Sequence, residues 1–154
     1  MEAGLAQGGR LAELGRLGRG RLGELHADGT CPSLSLLAGQ AEGLVLTVPV
    51  VRGLRLWRGK VFDPGVGAVT GHNRLGVGSA ERCRFPFEAR IARSTFSDRD
   101  VLLLDHDRLD NPFYVRRFHD EVVQIGDGLL LATSHWRVGS RLVLLCYFAL
   151  QLPA

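Results

Sequence analysis

The chain has 154 residues, 45% hydrophobic and 23% charged, with a formal net charge of +3. That is long enough for one domain with a real core, and it leaves the positive charge too diffuse for a nucleic-acid reader: no Lys/Arg-rich block and no aromatic-interleaved basic motif occurs. The three Cys (Cys31, Cys83 and Cys146) are widely spaced with no CxxC, which excludes a disulfide framework or zinc site and fits a reducing cytoplasm.

The first segment, RLAELGRLGRGRLGELHADG, places Leu11, Leu14, Leu17, Leu22 and Leu25 in one helical sector. It predicts one amphipathic helix stopping at Asp28-Gly29, within a helical segment 1–30 that packs on a β-domain 31–154. Gly15, Gly18, Gly20 and Gly23 weaken that helix by about 1 kcal/mol each relative to Ala. Both signs of charge on its polar face favour packing on the domain over lying on a membrane. MEAGLAQGGR has no apolar signal core, and the longest apolar run, Leu142 to Leu150, is too short for a span of about 20 residues. The expectation is a cytoplasmic protein with no membrane span.

From residue 43 the texture is that of strands: LVLTVPVV, LRLWRGKVF, GAVTGHNRLGVG, FPFEARIARSTF, DVLLLDHD, DEVVQI, GLLLATSHWRV and RLVLLCYFALQL. Turn chemistry separates them, and GDG and VGSR are tight-hairpin signals. Short strands at about ten-residue spacing with no intervening helices predict an antiparallel meander that closes on itself. The fold class is mainly β, an antiparallel lipocalin-like barrel of roughly eight to ten strands behind one N-terminal amphipathic helix. Both faces of the last two strands are largely apolar. One should line the interior and the other be covered by the helix, or, if left bare, form a homodimer interface.

Three stretches carry a family resemblance. LLAGQAEG has a Gly39-x-x-x-Gly43 spacing, WRGKVF matches a Trp-x-Gly-Lys-x-Phe signature, and LLLDHDRLDNPFYVRRFHDEVVQIGDGLLLA follows a strand, polar loop, strand and Gly-turn plan. Together they resemble small bacterial proteins built from a Gly-x-Trp-x-Gly segment followed by a lipocalin-like domain of unknown function. Ala41 stands where that motif has its Trp. The resemblance implies a barrel and no particular activity.

Strict alternation puts Trp57 and Lys60 on opposite faces of one strand, so an inward Trp57 implies an outward Lys60. Trp57 then either plugs a barrel end or walls a ligand cavity. In the polar stretch Leu104 to Val122, Asp105 and Asp107 share a face and His106 takes the other. A short helix after Pro112 would pair Arg116 and Arg117 with Asp120 and Glu121, making a salt-bridged lid. No metal-ligand spacing, nucleophile elbow or phosphate loop occurs, so no metal or cofactor is expected.

The leading expectation is a barrel that binds an apolar small molecule such as a lipid, terpenoid or polyketide. Trp57, Phe62, Phe87, His135, Trp136 and Tyr147 would lie near it, with Asn111 and Arg117 as polar contacts at the mouth. The alternative is a cofactorless isomerase, cyclase or hydratase using a carboxylate/His acid–base pair drawn from Asp105, Asp120 and His135. It requires two of those side chains to point into one cavity.

Overall fold

A computed structural model describes residues 9–154; residues 1–8 of the expected N-terminal helical segment lie outside the described residues. Eight antiparallel strands close into a barrel in chain order. They are β1 Gly39–Val45, β2 Trp57–Pro64, β3 Val69–Val77, β4 Ala80–Arg93, β5 Asp100–Asp105, β6 Phe118–Gly126, β7 Leu129–Val138 and β8 Arg141–Gln151. Strand β1 pairs with β8 from Glu42↔Gln151 to Val45↔Phe148, so no sheet edge is left exposed. Two-residue turns at Gly78-Ser79, Asp127-Gly128 and Gly139-Ser140 join β3 to β4, β6 to β7 and β7 to β8. The last two are the hairpins that GDG and VGSR predict. The mainly β antiparallel barrel expected from the sequence is the observed fold.

Two local expectations are corrected. The N-terminal helix is broken: residues 9–14 are helical, a turn follows at 15–16, and helix α1 runs Arg19–Asp28. The break falls at Gly15 and Gly18, where helix propensity is weakest, and Arg52 Nη1 donates to the freed Gly15 carbonyl at 2.6 Å. LVLTVPVV is not one strand either. Strand β1 ends at Val45, and Pro49, which has no N–H for a ladder, opens the short helix α2, Pro49–Leu54.

Apolar side chains form two layers. Inside, one half of the barrel is packed solid by Phe62, Phe87, Leu102, Leu104, Leu130 and Leu150, and Leu37, beyond the 3₁₀ turn Leu34–Leu36, closes that end. Outside, Leu22 of α1 packs with Leu129, Leu131, Val123, Tyr147 and Ala149. The N-terminal segment thus covers the second apolar face of the late strands over Leu129, Leu131, Tyr147 and Ala149, while Val143 and Leu145 nearer the β7–β8 turn stay exposed.

The other half of the barrel is shaped by a β-bulge. The β2–β3 register shifts between Trp57 and Gly59, and Gly59 adopts φ 133°. The inserted residue breaks the two-residue period, so Trp57 and Lys60 both turn toward the interior. This corrects the expectation that they face opposite ways. The bulge frees the Ala41 and Arg58 carbonyls, and Arg74 Nη1 donates to both at 3.0 and 3.3 Å. The facing interior row of β1 is Ala41, Gly43 and Val45; a Cβ on Gly43 would lie 2.6 Å from the Trp57 ring. Small residues on β1 therefore make room for the Trp57 ring.

A Cβ at Gly59 would run into the Ala41 carbonyl oxygen at a φ that L residues rarely adopt. We expect Gly59→Ala to cost at least about 2 kcal/mol. Gly20, in α1, has nothing within 4 Å of an added Cβ, so Gly20→Ala should stabilise by about 0.5–1 kcal/mol. Urea unfolding of the two variants checks these opposite signs.

Candidate functional site

The half of the barrel not filled by core side chains holds a partly enclosed cavity of about 410 Å³. Its walls are mainly apolar, with Trp57, Leu75, Phe85, Phe118 and Phe148 prominent, and Tyr114 and Val115 of the β5–β6 connection cover it. The Leu104–Val122 stretch thus acts partly as a lid: Tyr114, Val115 and Phe118 face the cavity beside His106 and Asp120, while Asp105, Asp107 and Arg116 pair outside it.

Where the cavity meets the packed half, Lys60, Asn73, His106, Asp120 and Ser134 form a polar belt. Strand register builds most of it: Lys60 sits opposite Asn73, and Asp120 opposite Ser134. Lys60 Nζ donates to Asn73 Oδ1 at 2.8 Å, and Trp57 Nε1 donates to the same oxygen at 3.0 Å. Asn73 Nδ2 in turn donates to the Phe85 carbonyl at 2.9 Å. That carbonyl is turned inward by a second bulge, between His72 and Asn73, opposite which Phe85 adopts φ 58°. Ser134 Oγ donates to Asp120 Oδ1 at 2.7 Å. Asp120 Oδ2 lies 3.9 Å from both Lys60 Nζ and His106 Nδ1. His106 Nε2 is 3.5 Å from Lys60 Nζ, whereas His106 Nδ1 has no hydrogen-bond partner.

The belt is buried, and its charges respond. The Lys60 side chain is only 2% exposed. Burial lowers its pKa to about 8, against the opposing pull of Asp120. Three rings partly replace its water: Phe87, Phe148 and Trp57, with centroids 4.6, 5.5 and 5.8 Å from Nζ. Burial, then the Lys60 charge, holds His106 well below its usual pKa, so its ring is neutral. Burial raises the Asp120 carboxyl, with Lys60 opposing, and lifts the Cys146 thiol to about 11. The belt thus combines a softened ammonium, a neutral imidazole and a carboxyl biased toward its protonated form.

The structure divides the residues singled out from the sequence. Trp57 and Asp120 line the cavity. Phe62 and Phe87 sit in the packed half, stacked edge-on at 5.6 Å. Asn111 is buried beneath the lid and donates to the Pro86 and His106 carbonyls at 2.7 and 2.8 Å, which aims His106 inward. Arg117 lies outside the rim over the Trp136 ring, 5.2 Å from its centroid, and Trp136 Nε1 donates to the Tyr114 carbonyl. Asp105 points outward to Arg90 at 2.7 Å.

His135 and Tyr147 line a separate recess of about 360 Å³ outside the barrel, beside α1. There Phe96 stacks on His135 at 4.3 Å. Glu121, buried nearby, is held at a pKa of about 2: burial raises it, but hydrogen bonds from His119, Ser94 and the Thr95 N–H prevail. Asp105, Asp120 and His135 therefore do not share a cavity. The pairing of Arg116 and Arg117 with Asp120 and Glu121 is replaced by Arg116 Nε–Asp107 at 2.7 Å. Strand β6 begins at Phe118, which sends Asp120 inward and Glu121 outward on alternate faces.

Lys60, Asn73, His106 and Ser134 were missed as a group. Two signals for Lys60 were present: it is the only lysine beside eighteen arginines, and a glycine precedes it on a strand. Among the described residues, no group of three or more His, Cys, Asp and Glu is placed to hold a metal. No described helix is long and apolar enough to cross a membrane.

No family model matches the chain, and no curated protein matches it. Among solved structures it is similar to a protein from Thermomonospora curvata, at 12% sequence identity and a TM-score of 0.56 over 100% of both chains. At that identity the likeness supports the barrel fold alone.

The Lys60 shift makes stability depend on pH. Its folded pKa lies below its unfolded value of 10.5, so the folded state binds fewer protons between them. The stability cost of burying the ammonium applies in full below about pH 8 and is relieved as pH rises to 10.5. The recovery should be on the order of 3 kcal/mol. Urea midpoints from pH 7 to 10.5 should show that rise in wild type relative to Lys60→Met.

Proposed function

We propose that the barrel binds an apolar small molecule of the lipid, terpenoid or polyketide class, with an oxygen-bearing end seated against Lys60. The observation that carries this reading is the cavity itself: apolar walls above one buried cation. An aliphatic or ring system gains from burial in proportion to the area it loses to water, about 25 cal/mol per Å². A carbonyl, carboxylate or hydroxyl at its end accepts a hydrogen bond from Lys60, whose one short partner is Asn73. Such a charge-assisted bond is worth more in a dry site than in water.

The open end suits an apolar visitor. Helix α2, joining β1 to β2 there, exposes Val50, Val51 and Leu54, and the β5–β6 connection exposes Leu109 and Phe113. These side chains offer a landing surface beside the cavity.

Trp57 walls the cavity and Trp136 sits outside it, so a Trp136→Phe variant reports from the cavity alone. Decanoic acid should quench its fluorescence saturably with a micromolar dissociation constant, and Val45→Phe, which narrows the cavity from β1, should weaken binding tenfold or more. Lys60→Met should weaken decanoate more than decanol, by about tenfold, because only the carboxylate loses an ion pair as well as a hydrogen bond. A linear, non-saturating quench would rule out the cavity as a binding site.

A further inference from the structure

Lys60 is placed to do more than hold an anion. It is the only lysine in a chain with eighteen arginines. A permanent cation would serve a purely electrostatic contact, and arginine supplies that with a better fork for carboxylates. What lysine offers and arginine lacks is an amine that can lose its proton and attack carbon. Here the amine is nearly inaccessible to water, faces an apolar cavity, and has a carboxyl and an imidazole within 3.9 Å and 3.5 Å of Nζ.

We propose that Lys60 captures an apolar aldehyde or ketone covalently, as a protonated imine formed in the barrel cavity. The inference rests on the reading that this cavity binds an apolar molecule. The Lys60 ammonium first passes a proton to Asp120, leaving a neutral amine and a neutral acid. The amine nitrogen then attacks the carbonyl carbon; a C–N bond forms, and the C=O π electrons move to oxygen. A proton shifts from nitrogen to that oxygen, giving a carbinolamine. Asp120 returns its proton to the hydroxyl, which leaves as water while the nitrogen lone pair closes the C=N bond. The products are one protonated imine, one Asp120 carboxylate and one water; charge is conserved and no oxidant or reductant takes part.

The surroundings fit each step. Asp120 is oriented by Ser134 at 2.7 Å, which leaves Oδ2 facing Lys60. Burial of both groups lowers the ammonium's hold on its proton and raises the carboxyl's. The rings of Phe87, Phe148 and Trp57 surround the nitrogen and stabilise a cationic imine as they do the ammonium. His106 Nε2 faces the donors Lys60 Nζ and Asn73 Nδ2, so Nδ1 of the neutral ring carries its proton; buried beside the same carboxylate, it can donate to the released water.

The test uses the full chain and decanal. Protein is incubated with decanal and reduced with sodium borohydride, which converts an imine to a stable secondary amine. The expected result is a mass increase of one decyl group per chain, mapped by peptide fragmentation to Lys60 and not to the N-terminal amine. Asp120→Asn, which keeps the lysine, should slow trapping tenfold or more at decanal concentrations that saturate the Trp57 quench, so that the loss is in the chemical step. Quenching by decanal and decanol with no adduct at Lys60 would overturn the covalent proposal and leave the binding reading standing. Neither quenching nor adduct would overturn both. An adduct on the N-terminal amine alone would also overturn the covalent capture.

Discussion

The arrangement of the site depends on one buried ammonium. Taking a lysine out of water is costly unless its charge is met by partners, and the barrel meets it with Asn73, Asp120 and three aromatic rings. Each partner comes from a different strand or bulge. Asn73 is steered by the inverted Phe85 carbonyl, Asp120 by Ser134, and His106 by the loop that Asn111 ties down. Strain at Phe85 and the unpartnered His106 nitrogen are costs that a barrel filled throughout with aliphatic side chains would not carry. Natural sequences usually keep such costs where chemistry or binding needs them.

The same eight strands are packed solid in one half and hollow in the other. The difference lies in residue size along each interior row. Phe62, Phe87 and Leu130 meet in the packed half, while Val45 on β1 and Ser134 and Cys146 on β7 and β8 leave volume in the other. An eight-stranded barrel is near the width at which side chains alone can fill it, so a few small residues decide whether it holds a ligand. The packed half, closed by Leu37, gives the belt a rigid floor. Outside, α1 covers the strands that carry Asp120, Ser134 and Cys146, which stiffens the wall from which half the belt projects.

Much of the fold was legible because it follows from local rules. Alternating apolar residues, Gly-containing two-residue turns and the lack of intervening helices point to an antiparallel meander, and a meander of this length closes. The Leu stripe of the N-terminal segment announced a helix and the surface it covers, although the glycines that weakened it also broke it. Trp57 and Asp120 were legible as site residues from their type and setting. Lys60 was not, because strict alternation sent it outward. His106 was not, because it lies just past the end of β5, where the strand period no longer sets direction. His135 and Tyr147 looked like interior polar groups from residue type, but alternation put them on the outer face with Leu131 and Ala149.

The amino-acid sequence by itself determined the class of fold, the order of strands, their hairpins and the apolar character of both faces of the late strands. These depend on neighbours within a few residues, where period-two alternation and turn preferences hold. Only the tertiary structure decided which polar groups meet inside. A bulge is one inserted residue relative to a partner strand, so its effect on facing is a property of the pair and not of either segment. Whether a charge is buried, and what softens it, depends on groups far away in sequence: Lys60 and Asp120 stand sixty residues apart and meet only because the barrel closes.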